Sequence, residues 1–496
     1  MNSFITESTR QSDMHPHIAF LFTHGFAARM ILRSGIARRL VTHGFRVTVI
    51  SPNADEAYFQ RECQHEQVDL YQEPLSTGRI ADWFRTYRSY FLDDVMENPA
   101  LRNTHIERFE RKSSALRIAM EIANRTLAKR PWFRTWARQI ECQLNRSQPV
   151  KALLQKLRPD FLVFPNPFAT QETVYLIHAR ELGIPVICQM LSWDHVTAKG
   201  TPLLMPDYFI SWGPMMTKEL VDIYGFPAGK IYECGVPHFD VYFHKDKLTP
   251  REVVLQQLNL SPAYPCIFYG MVNPVFFPNE LEILTWLVDR IRENAFIKPC
   301  TLIIRPHPQT IRGYYARNTQ ELARLYALAG PNVAIDTPPV LSDRLAWDMP
   351  KSDMPHLASL LHSSAMFLSA GSTLSLEACI LDRPVIDIGF DGWEELPYEQ
   401  SARRGLDYIH ITKLLALGGV RVARSFEDLA AHINAYLQNP ALDREARALS
   451  ARQECGPQDG QATKRAGDAL LQLCAHGHRH SRAFRSEAFT LRAVTP

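Results

Sequence analysis

Short apolar runs recur along this chain, each followed by a small-residue turn and then by a stretch with helical spacing. The first is His17-Ile-Ala-Phe-Leu-Phe22, followed by the tight loop Thr23-His-Gly-Phe26. A helix is predicted over Ala28 to Thr42, with Ile31, Leu32, Ile36 and Leu40 on one face and Gly44 as its stop; a strand over Arg46 to Ser51 comes next. The pattern returns as Pro159–Phe164, a helix over Gln171 to Leu182, Ile184–Cys188 and Asp207–Ser211. A second series runs through Pro265–Tyr269, Thr301–Arg305, Val333–Asp336, Met366–Ser369 and Pro384–Ile388. Alternating apolar strands and amphipathic helices predict a doubly wound α/β architecture with parallel sheets, and exclude a β-sandwich or a helical bundle.

A chain of 496 residues is too long for one hydrophobic core. The two series predict two βαβ domains joined near residue 250, with active loops at the carboxyl ends of their strands facing a shared cleft. The expected layout is a disordered leader over 1–16, an N-terminal domain over 17–250, a C-terminal domain over 251–475 and a basic tail over 476–496. Residues 75–150, rich in Arg and aromatics and helical in spacing, read as an insertion in the first domain.

The formal charge of +3 is too balanced for a nucleic-acid partner, which calls for a strong basic excess. The charge is unevenly spread, because 101–150 holds eleven Lys/Arg against four Asp/Glu. Its densest part, Lys129 to Arg138, interleaves Trp and Phe with Arg and suits an anionic membrane face as well as a solvated helix. Nine scattered cysteines without a CxxC pair argue for reduced thiols in the cytoplasm and against a zinc site or disulfide framework. The polar N-terminus does not read as a signal peptide. The uncharged stretch Met354 to Leu376 is long enough to span a bilayer, but its Ser, His, Gly and Thr content argues against it.

Two motifs carry chemistry. Arg305-Pro-His-Pro308 follows a strand directly, which sets a rigidly flanked imidazole at the sheet's carboxyl edge. There His307 can donate to a phosphate oxygen and Arg305 can supply a fixed charge; the alternative is a turn histidine satisfied by the backbone. Ser369-Ala-Gly-Ser-Thr373 precedes a helix over Leu374 to Leu381, so Gly371, Ser372 and Thr373 present hydroxyls and backbone N–H groups at a positive helix end. Ser372 reads equally as an ordinary N-cap. Glu377 stands in the first turns of that helix, where a carboxylate can accept from ribose hydroxyls.

The ordered set of Arg-Pro-His-Pro, Gly-Ser-Thr before Leu-Glu-Ala, and Asp382-Arg-Pro-Val-Ile-Asp-Ile388 resembles nucleotide-sugar-dependent glycosyltransferases of the two-Rossmann-domain (GT-B) architecture. It is also similar to CDP-glycerol glycerophosphotransferases and to capsule sialyl- and Kdo-transferases. UDP-GlcNAc 2-epimerases share the architecture. Ser192-Trp-Asp-His-Val-Thr-Ala-Lys-Gly200, Asp207–Gly213 and Lys230–Asp240 resemble the closing segments of such an N-terminal domain, and the likeness spans roughly residues 17 to 470. The glycerophosphotransferases typically carry an Asp-Tyr-Ser-Ser type turn where this chain has Ala-Gly-Ser-Thr, and the insertion has no counterpart in these families.

The resemblance implies that His307, Ser372 and Thr373 grip a nucleotide's phosphates, with Arg305, Gly371 and Glu377 in the same site. The donor would be a CMP-, CDP- or UDP-linked sugar and the acceptor a glycan or lipid-linked glycan, with no further cofactor. Loss of a nucleotide leaving group needs charge stabilisation, and deprotonation of an acceptor hydroxyl needs a base. Asp194, His195 and His24, each just after a predicted strand of the first domain, are the candidate bases, with Asp194 preferred over His24. No Asp-x-Asp pair lies in a suitable loop, so metal-independent transfer is expected. Trp193 and Trp212 suit a core position or a sugar-stacking surface, and Arg29 and Arg33 suit either an exposed helix face or an anion site in the cleft. A cytoplasmic enzyme, peripheral at the inner membrane face, follows from this reading.

Overall fold

The computed structural model describes residues 15–74, 78–109, 114–312 and 319–475. Residues 1–14 of the expected leader and the whole basic tail lie outside the described residues. The first sheet has seven strands, β1 (His17–Leu21), β2 (Arg46–Ser51), β3 (Asp69–Gln72), β4 (Phe161–Phe164), β5 (Val186–Gln189), β6 (Tyr208–Ser211) and β7 (Ile231–Glu233). Their order is β3-β2-β1-β4-β5-β6-β7, all parallel. The second has six, β8 (Cys266–Gly270), β9 (Thr301–Arg305), β10 (Val333–Ile335), β11 (Met366–Ser369), β12 (Val385–Ile388) and β13 (Val420–Ala423). Their order is β10-β9-β8-β11-β12-β13, again all parallel.

Both sheets therefore reverse winding direction once, between β1 and β4 and between β8 and β11, and such points open a crevice at the carboxyl ends of the strands. Central strands are buried on both faces, which is why they read as continuous apolar runs: every residue of β1, β4, β8, β9, β11 and β12 is buried. Register packs like with like, as where Phe20 lies between Val49 and Val163.

The helix predicted over 28–42 is interrupted. A short turn at Gly25–Ala27 leads into π-helical turns over Ala28–Arg33; Gly35, at a φ of 98°, breaks the run before the helix Ile36–Thr42. Arg29 and Arg33 are buried rather than on an exposed face. Arg29 pairs with Asp353 at 2.9 Å, and Arg33 pairs with Asp348 at 2.6 Å and Glu62 at 2.8 Å. Two of these carboxylates come from the second domain, so the first helix grips the segment before the helix Asp353–Ser363.

The insertion between β3 and β4 is helical as expected, with helices Arg79–Thr86, Arg88–Leu92, Pro99–Phe109, Ser114–Leu127 and Pro131–Leu144. A small core of Tyr90, Val95, Leu101 and Phe109 and the buried pair Arg88–Glu141 hold it together. Asp93 ties it to the first domain by accepting from the backbone N–H of Thr201 at 3.0 Å.

The last helical segment of the described residues, which the expected layout gave to the second domain, packs on the first. After the helix Arg444–Cys455 the chain crosses back. Asp240 accepts from the N–H groups of Ala462 and Thr463 at 2.9 and 2.8 Å, Arg39 pairs with Asp468, and the Arg465 Nε donates to the Cys234 carbonyl at 2.9 Å. Ala466, Leu470 and Leu473 join the apolar core that includes β1. Among the described residues no helix is long and apolar enough to cross a membrane, and Met354–Leu376 divides into helix, strand β11 and the start of the next helix.

Candidate active site

A cavity of about 330 Å³ lies in the cleft between the domains. Its second-domain wall is made by the two loops picked out in the sequence. His307 ends β9's loop and caps the short helix Pro308–Ile311; its Nδ1 accepts from the Gln309 N–H at 3.1 Å. That bond fixes the neutral tautomer with the proton on Nε2, leaving one N–H to give. Enclosure lowers the ring's pKa to about 4, so the imidazole is an uncharged donor at neutral pH.

On the same wall, Ser372 caps the helix Thr373–Ile380, its Oγ accepting from the Leu374 N–H at 3.2 Å. The N-cap reading of Ser372 thus holds, and its hydroxyl proton remains to be donated. Gly371 has a φ of 80°, a conformation glycine adopts freely, and a Cβ there would meet Ile411 at 3.3 Å. Asp387, at the end of β12, accepts from Ser375 Oγ at 3.0 Å and from the Gly371 N–H, which braces this turn from beneath. Thr373 and Glu377, one helical turn apart, both border the cavity. Burial raises the Glu377 carboxyl to about 7, against the Tyr242 hydroxyl that donates to it and the nearby Arg29 charge.

Arg305, expected to supply a fixed charge, borders the same cavity with its guanidinium paired to carboxylates. Its guanidinium is held by Asp336 and, at 2.5 Å, by Asp353, and Asp353 also carries Arg29. Two arginines share the carboxylates, so Arg305 stiffens the floor more than it lends charge to a ligand.

The first domain contributes Asp194, in the loop between β5 and β6. It occupies the N-cap position of the short helix His195–Ala198 without capping it, and its carboxylate accepts from Ser192 instead. Burial raises its pKa, but His195, Lys199, His410 and the Ser192 hydroxyl outweigh this and hold it well below the ordinary carboxylate range. His195 is buried, with Nδ1 unpartnered and a pKa lowered to about 4 by desolvation. His195 and His24 do not border the cavity. Trp193 and Trp212 are both buried and both reach its wall; Trp212 Nε1 donates to the Met190 carbonyl at 2.8 Å, which marks it as anchored core.

Among the wall residues that escaped the sequence reading, one stands out. Trp347, in the loop between β10 and the helix Asp353–Ser363, stands edge-on to His307 at 5.2 Å and to His24 at 4.9 Å, and touches Phe26 at 5.2 Å. Its φ is 58°, an unfavourable backbone for a bulky residue, and its buried Nε1–H has no partner. Its loop is clamped to the first domain, for the Gly25 N–H donates to the Ala346 carbonyl at 2.9 Å and Asp348 binds Arg33 and Tyr58. The available signal was a lone tryptophan in a Pro- and Asp-rich loop outside any periodic element. Among the described residues no group of three or more His, Cys, Asp or Glu side chains is arranged to hold a metal.

No family model matches the chain, and no curated protein matches it in sequence. Solved structures do match in fold. S. aureus MnaA in a co-structure with UDP superposes with a TM-score of 0.54 at 9% identity, over 91% of this chain and 94% of that one. The UDP-GlcNAc 2-epimerase of Neisseria meningitidis bound to UDP-GlcNAc gives 0.52 at 12% identity, over 92% and 100%. That of Methanocaldococcus jannaschii gives 0.51 at 13%, over 93% and 100%. With its two parallel sheets, each wound in both directions about one switch point, and a cleft lined from both domains, the chain has the GT-B fold.

Proposed function

We propose that this protein is a glycosyltransferase that moves a sugar from a nucleotide-activated donor to a glycan acceptor. The observation that carries the reading is the convergence on one cavity wall of His307 Nε2–H, the Ser372 and Thr373 hydroxyls at a helix N-terminus, and Glu377 one turn further on. Donors and a positive helix end suit a diphosphate, and the carboxylate suits the ribose hydroxyls beyond it. The same groups offset the charge that develops on the leaving phosphate as the glycosidic bond breaks.

Across the cavity Asp194 accepts the proton of the acceptor hydroxyl. It is ionised at neutral pH and so free to accept, and it takes that proton as the new bond forms, when the attacking hydroxyl becomes more acidic. Transfer then needs no divalent ion, and a chelator leaves the rate unchanged. The basic aromatic insertion and the likeness to surface-polysaccharide enzymes favour a cell-surface glycan, lipid-linked or free, as acceptor.

A second reading, conversion of a UDP-sugar without an acceptor, is favoured by the UDP and UDP-GlcNAc complexes among the structural relatives. Thermal unfolding against CMP, CDP, UDP, GDP, ADP and TDP tests the shared core of both. Ligand at a hundred times its dissociation constant adds about 2.7 kcal/mol. A midpoint raised by one nucleotide in the wild type and not in His307→Ala supports the site; no response to any of them removes it. Product formed from the matching nucleotide sugar only when an acceptor is supplied separates transfer from isomerisation.

A further inference from the structure

Of the sixteen large apolar side chains most exposed among the described residues, nine lie between residues 80 and 144, inside the helical insertion. They are not scattered. Trp83, Phe91, Phe133 and Trp136 form a chain of ring contacts at 6.1, 6.1 and 5.5 Å, and Trp132 joins Phe133 at 5.7 Å. This ridge crosses three helices, Arg79–Thr86, Arg88–Leu92 and Pro131–Leu144. Its outer members are open to solvent, with Trp132 64% exposed, and Ile80, one turn before Trp83 on the same helix, is 64% exposed as well. The helix Ser114–Leu127 adds Ile118 and Ile122, one turn apart and both exposed.

Exposed basic side chains lie near the apolar ones along the chain. Arg79 directly precedes Ile80, Arg130 lies two residues before Trp132, and Arg125 lies on the helix of Ile122; all three are exposed and have no acidic partner among the described residues. We infer that this face of the insertion docks on an anionic lipid bilayer. Indole rings, apolar in body with one polar N–H, favour the headgroup boundary, and unpaired arginines beside them meet lipid phosphates. A second copy of the chain is the poorer occupant, because a two-fold contact would set this basic face against itself. The insertion also supplies Ala100 and Thr104 to the wall of the cleft cavity, so one element joins the membrane face to the site.

The test needs no nucleotide, so its outcome is independent of the proposed reaction. The full chain is sedimented with vesicles of phosphatidylcholine alone and of phosphatidylcholine and phosphatidylglycerol in equal parts. The wild type pellets with the anionic vesicles and its tryptophan emission shifts to the blue. Ile80→Ser with Trp132→Ser, both solvent-exposed and so tolerated by the fold, weakens partition about tenfold or more. Arg79→Glu and Arg130→Glu each weaken it about fivefold or more at low salt, and added salt erases that difference. Melting curves confirm that the variants fold. The inference is overturned if the wild type stays in the supernatant with both vesicles, if the variants bind as the wild type does, or if the same substitutions instead dissolve a dimer.

Discussion

His24 and His307 follow parallel strands in different domains, and each ring lends its Nδ1 to the backbone N–H two residues on, at 3.1 Å in both cases. Both stand edge-on to Trp347. Enclosure lowers both pKa values, to about 3 for His24, where the charges of His195, Arg29 and Lys199 add to burial, and to about 4 for His307. Only His307 borders the cavity. The His24–Gly25 part of its loop is spent on the domain contact, since a Cβ at Gly25 would fall 2.5 Å from the Asp348 backbone, while Phe26 reaches the cavity wall. The same local device thus serves as a ligand-facing donor in one domain and as a strut in the other. What decides the role is which partner fills the space beyond the strand's end.

If the first domain's chemistry lies with Asp194 and not with the His24 loop, Asp194→Asn lowers kcat on the order of 10²- to 10⁴-fold with nucleotide affinity nearly intact. Turnover at the wild-type rate in that variant would return the search to the histidines. The strut role is broken by Asp348→Ala, which strips Arg33 and Tyr58 of a buried partner; a loss of about 3 kcal/mol in unfolding free energy is expected. Denaturant titration reads it, and an unchanged midpoint would show the clamp to be idle.

Replacing each histidine by alanine sharpens the contrast further. The nucleotide-induced rise in melting midpoint, up to about 2.7 kcal/mol in equivalent stability, disappears in His307→Ala and persists in His24→Ala. Equal behaviour would erase the distinction between the two loops.

The smallest effect is in pH. Glu377 is protonated below about 7 and ionised above it, and only the carboxylate accepts from two ribose hydroxyls. Affinity therefore climbs as pH rises through 7. His307, uncharged down to about 4, adds no slope between pH 5 and 8. Calorimetry across that range, with Glu377→Gln as the reference that keeps only the slope of the nucleotide's own phosphate, measures it.

The buried strands were legible because parallel strands covered on both faces must be apolar throughout, and β2, β9 and β11 fall where the runs predict them. The strands β3, β7 and β13 went unread. Each lies at a sheet edge, where Asp69, Glu233 or Arg421 meets solvent and the run is broken. The Gly-Ser-Thr turn and the His-Pro pair were readable because backbone chemistry and local spacing define them. Trp347 and the Arg29–Asp353–Arg305 cluster were not. They are made by residues more than three hundred positions apart along the chain, or by a backbone angle that no composition encodes.

The C-terminal crossing has a bearing on how the molecule is made. The patch around Arg39, Asp240 and Cys234 stays bare until residues 462–475 have left the ribosome, although its own strands emerge first. The first domain is thus begun before the second domain's strands are made and finished after them, and a fragment cut near residue 250 would lack one of its own packing helices.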